Sequence, residues 1–189
     1  MVNAELEIWT PLPPSKSGIA NFSKICFEDH NFNRDINFVV QEKRQIVNSR
    51  RKLIRDSNVK IPKLLQLGNN IHHDYIYYEA LRKTKTKIVI ELHDFSLHHL
   101  VTELTLRHGD FEGYRKTLES CHGNEGRKFA FQRKSEIYNQ KLQYYLYCNR
   151  NILDKADSII VHSEWAKFKV EQQGIYKPTY VIPHFAVNP

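Results

Sequence analysis

Residues 87–101 read KIVIELHDFSLHHLV and contain a short strand, a polar turn and the start of a helix. The run from Ile88 to Ile90 is β-branched and too short for a helix, so it predicts a strand over 87–92. Ser96 stands at a helix N-cap position. Behind it, apolar residues recur at helical spacing: Leu97, Leu100, Val101 and Leu104. A strand followed by an amphipathic helix is the repeating unit of a parallel α/β sheet.

The same alternation recurs on both sides of this stretch. Strands are predicted at 6–9, 36–40, 63–67, 158–161 and 179–182, and helices after Ser17, over 74–81 and after Ser163. Residues 93–157 are too long for one crossover helix and predict a helical insertion between strands four and five, ending in a long helix near 136–155. The predicted fold class is therefore α/β. One domain over 1–189 would hold a doubly wound, mostly parallel sheet of about six strands.

Composition and charge narrow the class of protein. The 189 residues carry a formal net charge of +7, which favours an anionic partner. No apolar run approaches the ~20 residues of a membrane span, and the N-terminus lacks the apolar core of a signal peptide. The three cysteines (Cys26, Cys121 and Cys148) form neither a disulfide framework nor a CxxC pair, which is typical of a reducing compartment. We therefore expect a cytoplasmic protein.

Basic residues accompany an apolar pattern between positions 43 and 55. The apolar residues Ile46, Val47, Leu53 and Ile54 repeat at i and i+7, which predicts a helix with one buried seam. Its exterior would carry the basic residues Lys43, Arg44, Arg50, Arg51, Lys52 and Arg55. Such a surface is either solvated or placed against an anionic membrane, as in a peripheral protein at the inner membrane face.

Polar segments follow four of the predicted strands. In an open parallel sheet, ligands bind beyond the carboxyl ends of the strands, near the point where the strand order reverses. This rule selects Ser15-Lys16-Ser17-Gly18, the run from Gly68 through Asn69 and Asn70 to His73, His93-Asp94, and His162-Ser163-Glu164. Three of the four contain histidine, and we expect all four to meet along one edge of the sheet.

Gly18 stands at the start of a helix, where free backbone N–H groups attract anions. A residue without a Cβ lets a phosphate or sugar approach them, although a tight turn accounts for the glycine equally well. No GxGxxG follows the first strand and no GxxxxGK[ST] occurs, which argues against a nicotinamide Rossmann enzyme and a P-loop NTPase. The GxSxG nucleophile elbow of many hydrolases is missing too.

His93 admits three interpretations. It can be a metal ligand, although the spacing of its neighbours matches no standard zinc pattern. It can donate a hydrogen bond to a ligand or accept one from it, with Asp94 orienting the loop or the ring. It can also be a buried histidine whose hydrogen bonds are all made within the protein. We favour ligand contact for His93, and we expect His98 and His99 to lie on the surface of the following helix. Asn69 and Asn70 can also be plain turn formers.

These same segments resemble a known family. The runs at 13–21 (PPSKSGIAN), 66–70 (QLGNN), 92–94 (LHD), 156–164 (ADSIIVHSE) and 181–184 (VIPH) resemble, in order, the Rossmann-like N-terminal domain of a retaining family 4 glycosyltransferase of the GT-B fold. The likeness covers nearly the whole chain except 108–135. It implies that 1–189 is the acceptor-side half of such an enzyme, and that the C-terminal half, which carries most of the donor-nucleotide pocket, is absent from this chain.

The resemblance also implies a set of site residues. His93 and Asp94 would be the catalytic pair, and the substrate- or donor-binding residues would be Ser17, Gly18, Asn21, Gly68, Asn69, Asn70, His162, Ser163 and Glu164. The partners would be a nucleotide-sugar donor as co-substrate and a glycan, lipid-linked or small-molecule acceptor, with no metal and no other cofactor. The chain alone is expected to lack turnover.

Two other classes remain open. A non-catalytic Rossmann-like binding module or accessory subunit of a glycosyltransferase would have the same fold without the chemistry. A nucleic-acid binder would use the basic and aromatic residues, but none of the usual binding motifs is present, and a metal-dependent hydrolase would need the histidines as ligands. We therefore expect no nucleic-acid partner.

Overall fold

A computed structural model describes residues 4–28, 36–40, 45–48, 53–54, 60–82 and 85–184. These residues form one sheet of eight strands: β1 (Leu6–Trp9), β2 (Ile36–Val40), β3 (Gln45–Asn48), β4 (Leu53–Ile54), β5 (Lys63–Leu67), β6 (Ile88–Leu92), β7 (Ser158–Val161) and β8 (Thr179–Val181). Their order across the sheet is β4-β3-β2-β1-β5-β6-β7-β8. Six of these strands are parallel to one another: β2, β1, β5, β6, β7 and β8. This confirms the predicted Rossmann-like, doubly wound fold class.

The strand order reverses at β1. The chain continues from β1 to β2 on one side and returns to place β5 on the other. Connections that leave a sheet in opposite directions open a crevice between them at the carboxyl ends of the strands. The crevice of this fold therefore lies beyond β1 and β5.

The predicted helix over the basic segment is wrong. Ile46, Val47, Leu53 and Ile54 lie on β3 and β4, two antiparallel strands added beside β2. Ile46 faces Ile54 and Val47 faces Leu53, so the spacing that imitates a helix arises from residues paired across a hairpin. The six basic residues between 43 and 55 lie outside the described residues.

Six α-helices occur among the described residues: α1 (Gly18–Glu28), α2 (Asp74–Leu81), α3 (His98–Leu104), α4 (Phe111–Lys134), α5 (Arg150–Leu153) and α6 (Glu164–Gln172). The helical insertion between β6 and β7 is confirmed, but its longest helical segment is α4, which is kinked at Gly123 (φ 59°). The helix predicted near 136–155 is wrong, because Glu136 (φ 58°) and Cys148 (φ 54°) take left-handed backbone conformations that interrupt a helix. None of the helices described is both long and apolar enough to cross a membrane.

Helices cover both faces of the sheet. In β1, Ile8 packs with Ile36 and Phe38 on the face that Phe27 of α1 covers, whereas the next residue, Trp9, belongs to the main core. Within the insertion, α4 contacts both α3 and α5, and α5 contacts α2. This packing makes one expectation wrong: His98 is buried beneath α4, while His99 is exposed as expected.

Candidate functional site

A cavity of about 560 Å³ opens at the carboxyl ends of the strands. It lies in the crevice expected from the strand order. Its described lining comes from the loop after β1 and the start of α1, from the loops after β5 and β6, and from the segment after β8: Ser17, Gly18, Ile19, Asn21, Phe22, Ile25, Asn70, His93, Asp94 and His184. Three of the four polar segments selected from the sequence therefore meet at this cavity, and the fourth adjoins it through His162.

The start of α1 has free space in front of it. A Cβ built on Gly18 would meet no atom within 4 Å, so the fold itself does not require a glycine here. Ser17 precedes the helix as predicted, but its buried Oγ makes no hydrogen bond to any described residue, so the expected side-chain cap is not formed. A small residue and an unused hydroxyl thus face the cavity together.

Gly68 has the opposite surroundings. A Cβ at this position would collide with Ile19 and would lie 2.9 Å from Nε2 of His73. The neighbouring Asn69 N–H donates to Oδ2 of Asp94 at 2.7 Å. A larger residue at position 68 would therefore displace the side chains of Ile19 and His73, and Asp94 holds the turn in place.

The two asparagines of this turn serve the backbone. Asn69 Oδ1 accepts a hydrogen bond from the N–H of Leu100 in α3, and Asn70 Oδ1 accepts one from the N–H of His72. For the side-chain oxygens of both residues, these hydrogen bonds favour the interpretation that the asparagines are turn formers. Asn70 also lines the cavity.

The residues of the fourth polar segment, which follows β7, have two different roles. His162 joins the residues around the cavity, as described below. Ser163 Oγ accepts a hydrogen bond from the N–H of Ala166 and caps α6, as predicted from the sequence. Glu164 is exposed in the first turn of α6, and neither it nor Ser163 is among the described lining of the cavity.

His93, His162 and His184 form a cluster at the edge of the sheet. The ring centroids of His162 and His184 are 3.7 Å apart, and those of His93 and His162 are 4.6 Å apart. Phe22 of α1 packs edge-on against the cluster, 4.9 Å from His93 and 5.1 Å from His184. Because β6, β7 and β8 are adjacent and parallel, residues just beyond their ends meet at one place.

Glu91 lies beneath this cluster. Its Oε1 is 3.5 Å from Nε2 of both His93 and His162, and its Oε2 accepts a hydrogen bond from Gln66 Nε2 at 2.8 Å. Gln66 in turn accepts a hydrogen bond from Ser23 of α1. A buried chain of polar side chains therefore fixes the carboxylate in its position.

Burial keeps the cluster uncharged. It lowers the pKa of His93 to about 3, with His162 and His184 adding to the effect, and it also lowers the pKa values of His162 and His184. Burial raises the pKa of Glu91. Neutral imidazoles carry a lone pair on one ring nitrogen, so at neutral pH the cluster presents acceptor nitrogens rather than positive charge.

Two of these nitrogens lack partners. Nδ1 of His162 lies 2.7 Å from the Ile182 carbonyl oxygen and donates to it, which leaves the lone pair on Nε2. Nε2 of His93 and Nε2 of His162 are buried, and neither hydrogen-bonds to a described residue. Buried polar atoms are nearly always paired in native proteins, so such a pair of orphaned atoms marks a place prepared for something else.

Sequence reasoning missed His184 and Glu91. His184 follows the last strand, so the strand-end rule that selected His93 and His162 applies to it equally. Glu91 is the one acidic residue in an otherwise apolar strand, which is the available signal for a buried functional carboxylate. No family model, curated protein or solved structure matches this chain.

Proposed function

We propose that this chain is the acceptor-side domain of a retaining glycosyltransferase, and that its cavity receives the reacting sugars. The observation that carries the proposal is the meeting of Gly18, His93 and Asp94 at one cavity in the crevice of a doubly wound sheet. The same conclusion is supported by the five sequence segments that resemble family 4 enzymes and that occur in the same order along the chain.

The start of α1 suits a polar or anionic group. The first turn of a helix leaves backbone N–H groups without helical partners, and its dipole favours negative charge there. The open space beside Gly18 lets a sugar hydroxyl or a phosphate oxygen approach this backbone closely. The unpaired Ser17 hydroxyl offers one more hydrogen bond at the same place.

His93 is the group best placed to contact a sugar hydroxyl. Its ring lines the cavity beside Asp94 and the start of α1. Asp94 acts as a positioning residue, because its carboxylate holds the Gly68–Asn69 turn that borders the same cavity. Buried, pre-oriented hydrogen-bonding groups are what sugar recognition requires.

The described lining contains no lysine or arginine. A departing nucleoside diphosphate needs positive charge to stabilise it, so a second domain must supply those groups. The chain alone should therefore bind sugars weakly and show negligible transfer, with the donor diphosphate held mainly by the other half of the enzyme.

A size series at Gly18 tests the proposal. Saturation-transfer NMR would screen the chain against a panel of nucleotide sugars and oligosaccharides. We expect at least one to bind, more weakly in Gly18→Ala and at least about tenfold more weakly in Gly18→Leu, because a larger side chain fills more of the approach to the helix. Glu171→Leu adds the same side chain at an exposed position of α6 and should have no effect.

Failure to bind any nucleotide sugar or saccharide, or equal binding by Gly18→Leu, would contradict the proposal. Where the reading frame continues beyond Pro189, transfer is measured with the extended chain. Binding that persists without any transfer would favour the accessory binding module instead.

A further inference from the structure

We propose that His93, His162 and His184 bind a divalent transition-metal ion, with Zn²⁺ as the best fit and Glu91 as the fourth ligand. The site joins the ends of three adjacent parallel strands at the edge of the sheet. This inference does not rest on sugar transfer. It also departs from the resemblance, which implies an enzyme that works without a metal.

The distances from Glu91 to His93 and His162 are close to those around a tetrahedral ion. Ligands about 2.0–2.1 Å from Zn²⁺ lie roughly 3.4 Å from one another at tetrahedral corners. Oε1 of Glu91 is 3.5 Å from Nε2 of both His93 and His162, which matches that edge. The ligand atoms of the three histidines all lie within 4.8 Å of one another. His184 is exposed, so its ring has room to make the rotation that closes the remaining distance.

The unpaired nitrogens give an independent reason. The side chains of His93 and His162 are 5% and 8% exposed, and both direct an unpartnered Nε2 toward the same carboxylate oxygen. Leaving two buried ring nitrogens without hydrogen-bond partners is unfavourable. A single cation bound between them and Glu91 gives both nitrogens a partner at once.

Two hydrogen bonds to the proposed ligands are of the kind that surround metal centres in proteins. Ligating histidines usually donate their second ring N–H to a carbonyl or carboxylate, and ligating carboxylates are themselves hydrogen-bonded. His162 donates from Nδ1 to the Ile182 carbonyl, and Glu91 accepts from Gln66. Both contacts orient the free ligand atom toward the centre of the cluster.

The ligand types select the metal. Three imidazoles and one carboxylate suit Zn²⁺, Co²⁺, Ni²⁺ or Cu²⁺, whereas Mg²⁺ and Ca²⁺ prefer sites made of oxygen atoms. Phe22 covers one side of the cluster and limits the access of water.

The ion would have two consequences. It would tie the segment after β8, through His184, to the ends of β6 and β7. It would also fix the tautomer of His93: with Nε2 on the metal, Nδ1 must carry the proton and can only donate a hydrogen bond. The metal and the sugar hydroxyl of the proposed function would thus use opposite nitrogens of one ring.

The untagged 189-residue chain, treated with a chelator and then dialysed, is titrated with Zn²⁺ or Co²⁺ alone to test the site. We expect one Zn²⁺ per chain by elemental analysis and the intense visible absorption of tetrahedral Co²⁺. His184→Ala should weaken Zn²⁺ binding by at least ~100-fold, and Zn²⁺ should raise the melting temperature of the wild type but not of the variant. Because His184 is exposed, its removal leaves the fold intact.

His99→Ala removes an exposed histidine outside the cluster and should bind Zn²⁺ like the wild type. Mg²⁺ should give no stabilisation. Lack of a stoichiometric ion in the wild type, or equal Zn²⁺ affinity in His184→Ala, would overturn the metal site. Saccharide binding is measured separately on chelator-treated protein. A failed metal test would therefore leave the proposed function untouched, and a failed saccharide test would leave the metal site untouched.

Discussion

Two groups of buried histidines in this protein differ in how completely they are hydrogen-bonded. In the helical insertion, His98 Nδ1 lies 2.8 Å from the Leu146 carbonyl oxygen and Nε2 lies 2.8 Å from the Tyr114 hydroxyl. At the sheet edge, Nε2 of His93 and Nε2 of His162 have no partner among the described residues. Burial lowers the pKa of His98 to about 4 and that of His93 to about 3. Burial and pKa are thus similar at the two places, and hydrogen-bond completeness separates the structural histidine from the functional candidates.

The largest expected difference is in stability. His98→Ala leaves the Tyr114 hydroxyl and the Leu146 carbonyl without their partner and opens a cavity, so the free energy of unfolding should fall by about 3 kcal/mol. His93→Ala breaks no hydrogen bond at Nε2 but still removes a buried ring, so it should cost less, about 1–2 kcal/mol in metal-free protein. Urea denaturation of both variants in the presence of chelator measures the two values. Equal losses would mean that the two histidines are alike.

The second difference is in the response to acid. The pKa of His98 is lower in the folded chain than its usual 6.5, because burial outweighs the bond to Leu146, with Arg133, His122 and His99 adding to the effect. The unfolded state therefore binds the proton first, and stability is complete above pH 6.5 and falls as the pH drops toward 4. Replacing His98 with Gln should remove on the order of 2 kcal/mol of the stability change between pH 7 and pH 4.5.

Urea denaturation of the wild type and of His98→Gln at several pH values gives this change. The other depressed histidines are present in both proteins and cancel in the difference. A His98→Gln variant that loses stability toward acid as steeply as the wild type would show that His98 is not the group responsible.

Much of the fold could be predicted from the sequence, and the reasons are local. Strands such as 36–40 and 158–161 are short β-branched runs whose ends are marked by polar residues or turn formers, so the predicted and observed limits coincide. The insertion is harder to predict, because two of its breaks fall at Glu136 and Cys148 and not at the glycine or proline that usually marks a helix end. Likewise, the hairpin of β3 and β4 looks helical until its pairing is known.

The candidate site also has a part that the sequence predicts and a part that it does not. The strand-end rule finds His93 and His162, because the topology alone brings these positions together. It cannot find the role of Glu91, because the partner of a buried carboxylate is set by Gln66 and Ser23 on other elements. Nor can it distinguish Gly18 from Gly68, since the space around each glycine depends on how α1 packs against the turn.

The two glycines give a third, smaller contrast. Gly68→Ala places a methyl group against Ile19 and His73, and the resulting shift of α1 should cost about 1–2 kcal/mol of stability. Gly18→Ala meets nothing and should change stability by less than about 0.5 kcal/mol. Thermal denaturation followed by circular dichroism distinguishes them. A stable Gly68→Ala would show that the turn yields easily and that its close packing is not needed.

The smallest expected effect compares two serines that precede helices. Ser163 Oγ accepts the Ala166 N–H at the start of α6, so Ser163→Ala should lose about 1 kcal/mol, the usual contribution of an N-cap. Ser17 occupies the same position before α1, but its buried Oγ has no partner among the described residues, so Ser17→Ala should be neutral or slightly stabilising. Denaturation in urea measures both. If Ser17→Ala instead costs as much as Ser163→Ala, the hydroxyl is serving the helix after all, and the start of α1 loses its unused polar group as an argument for a ligand.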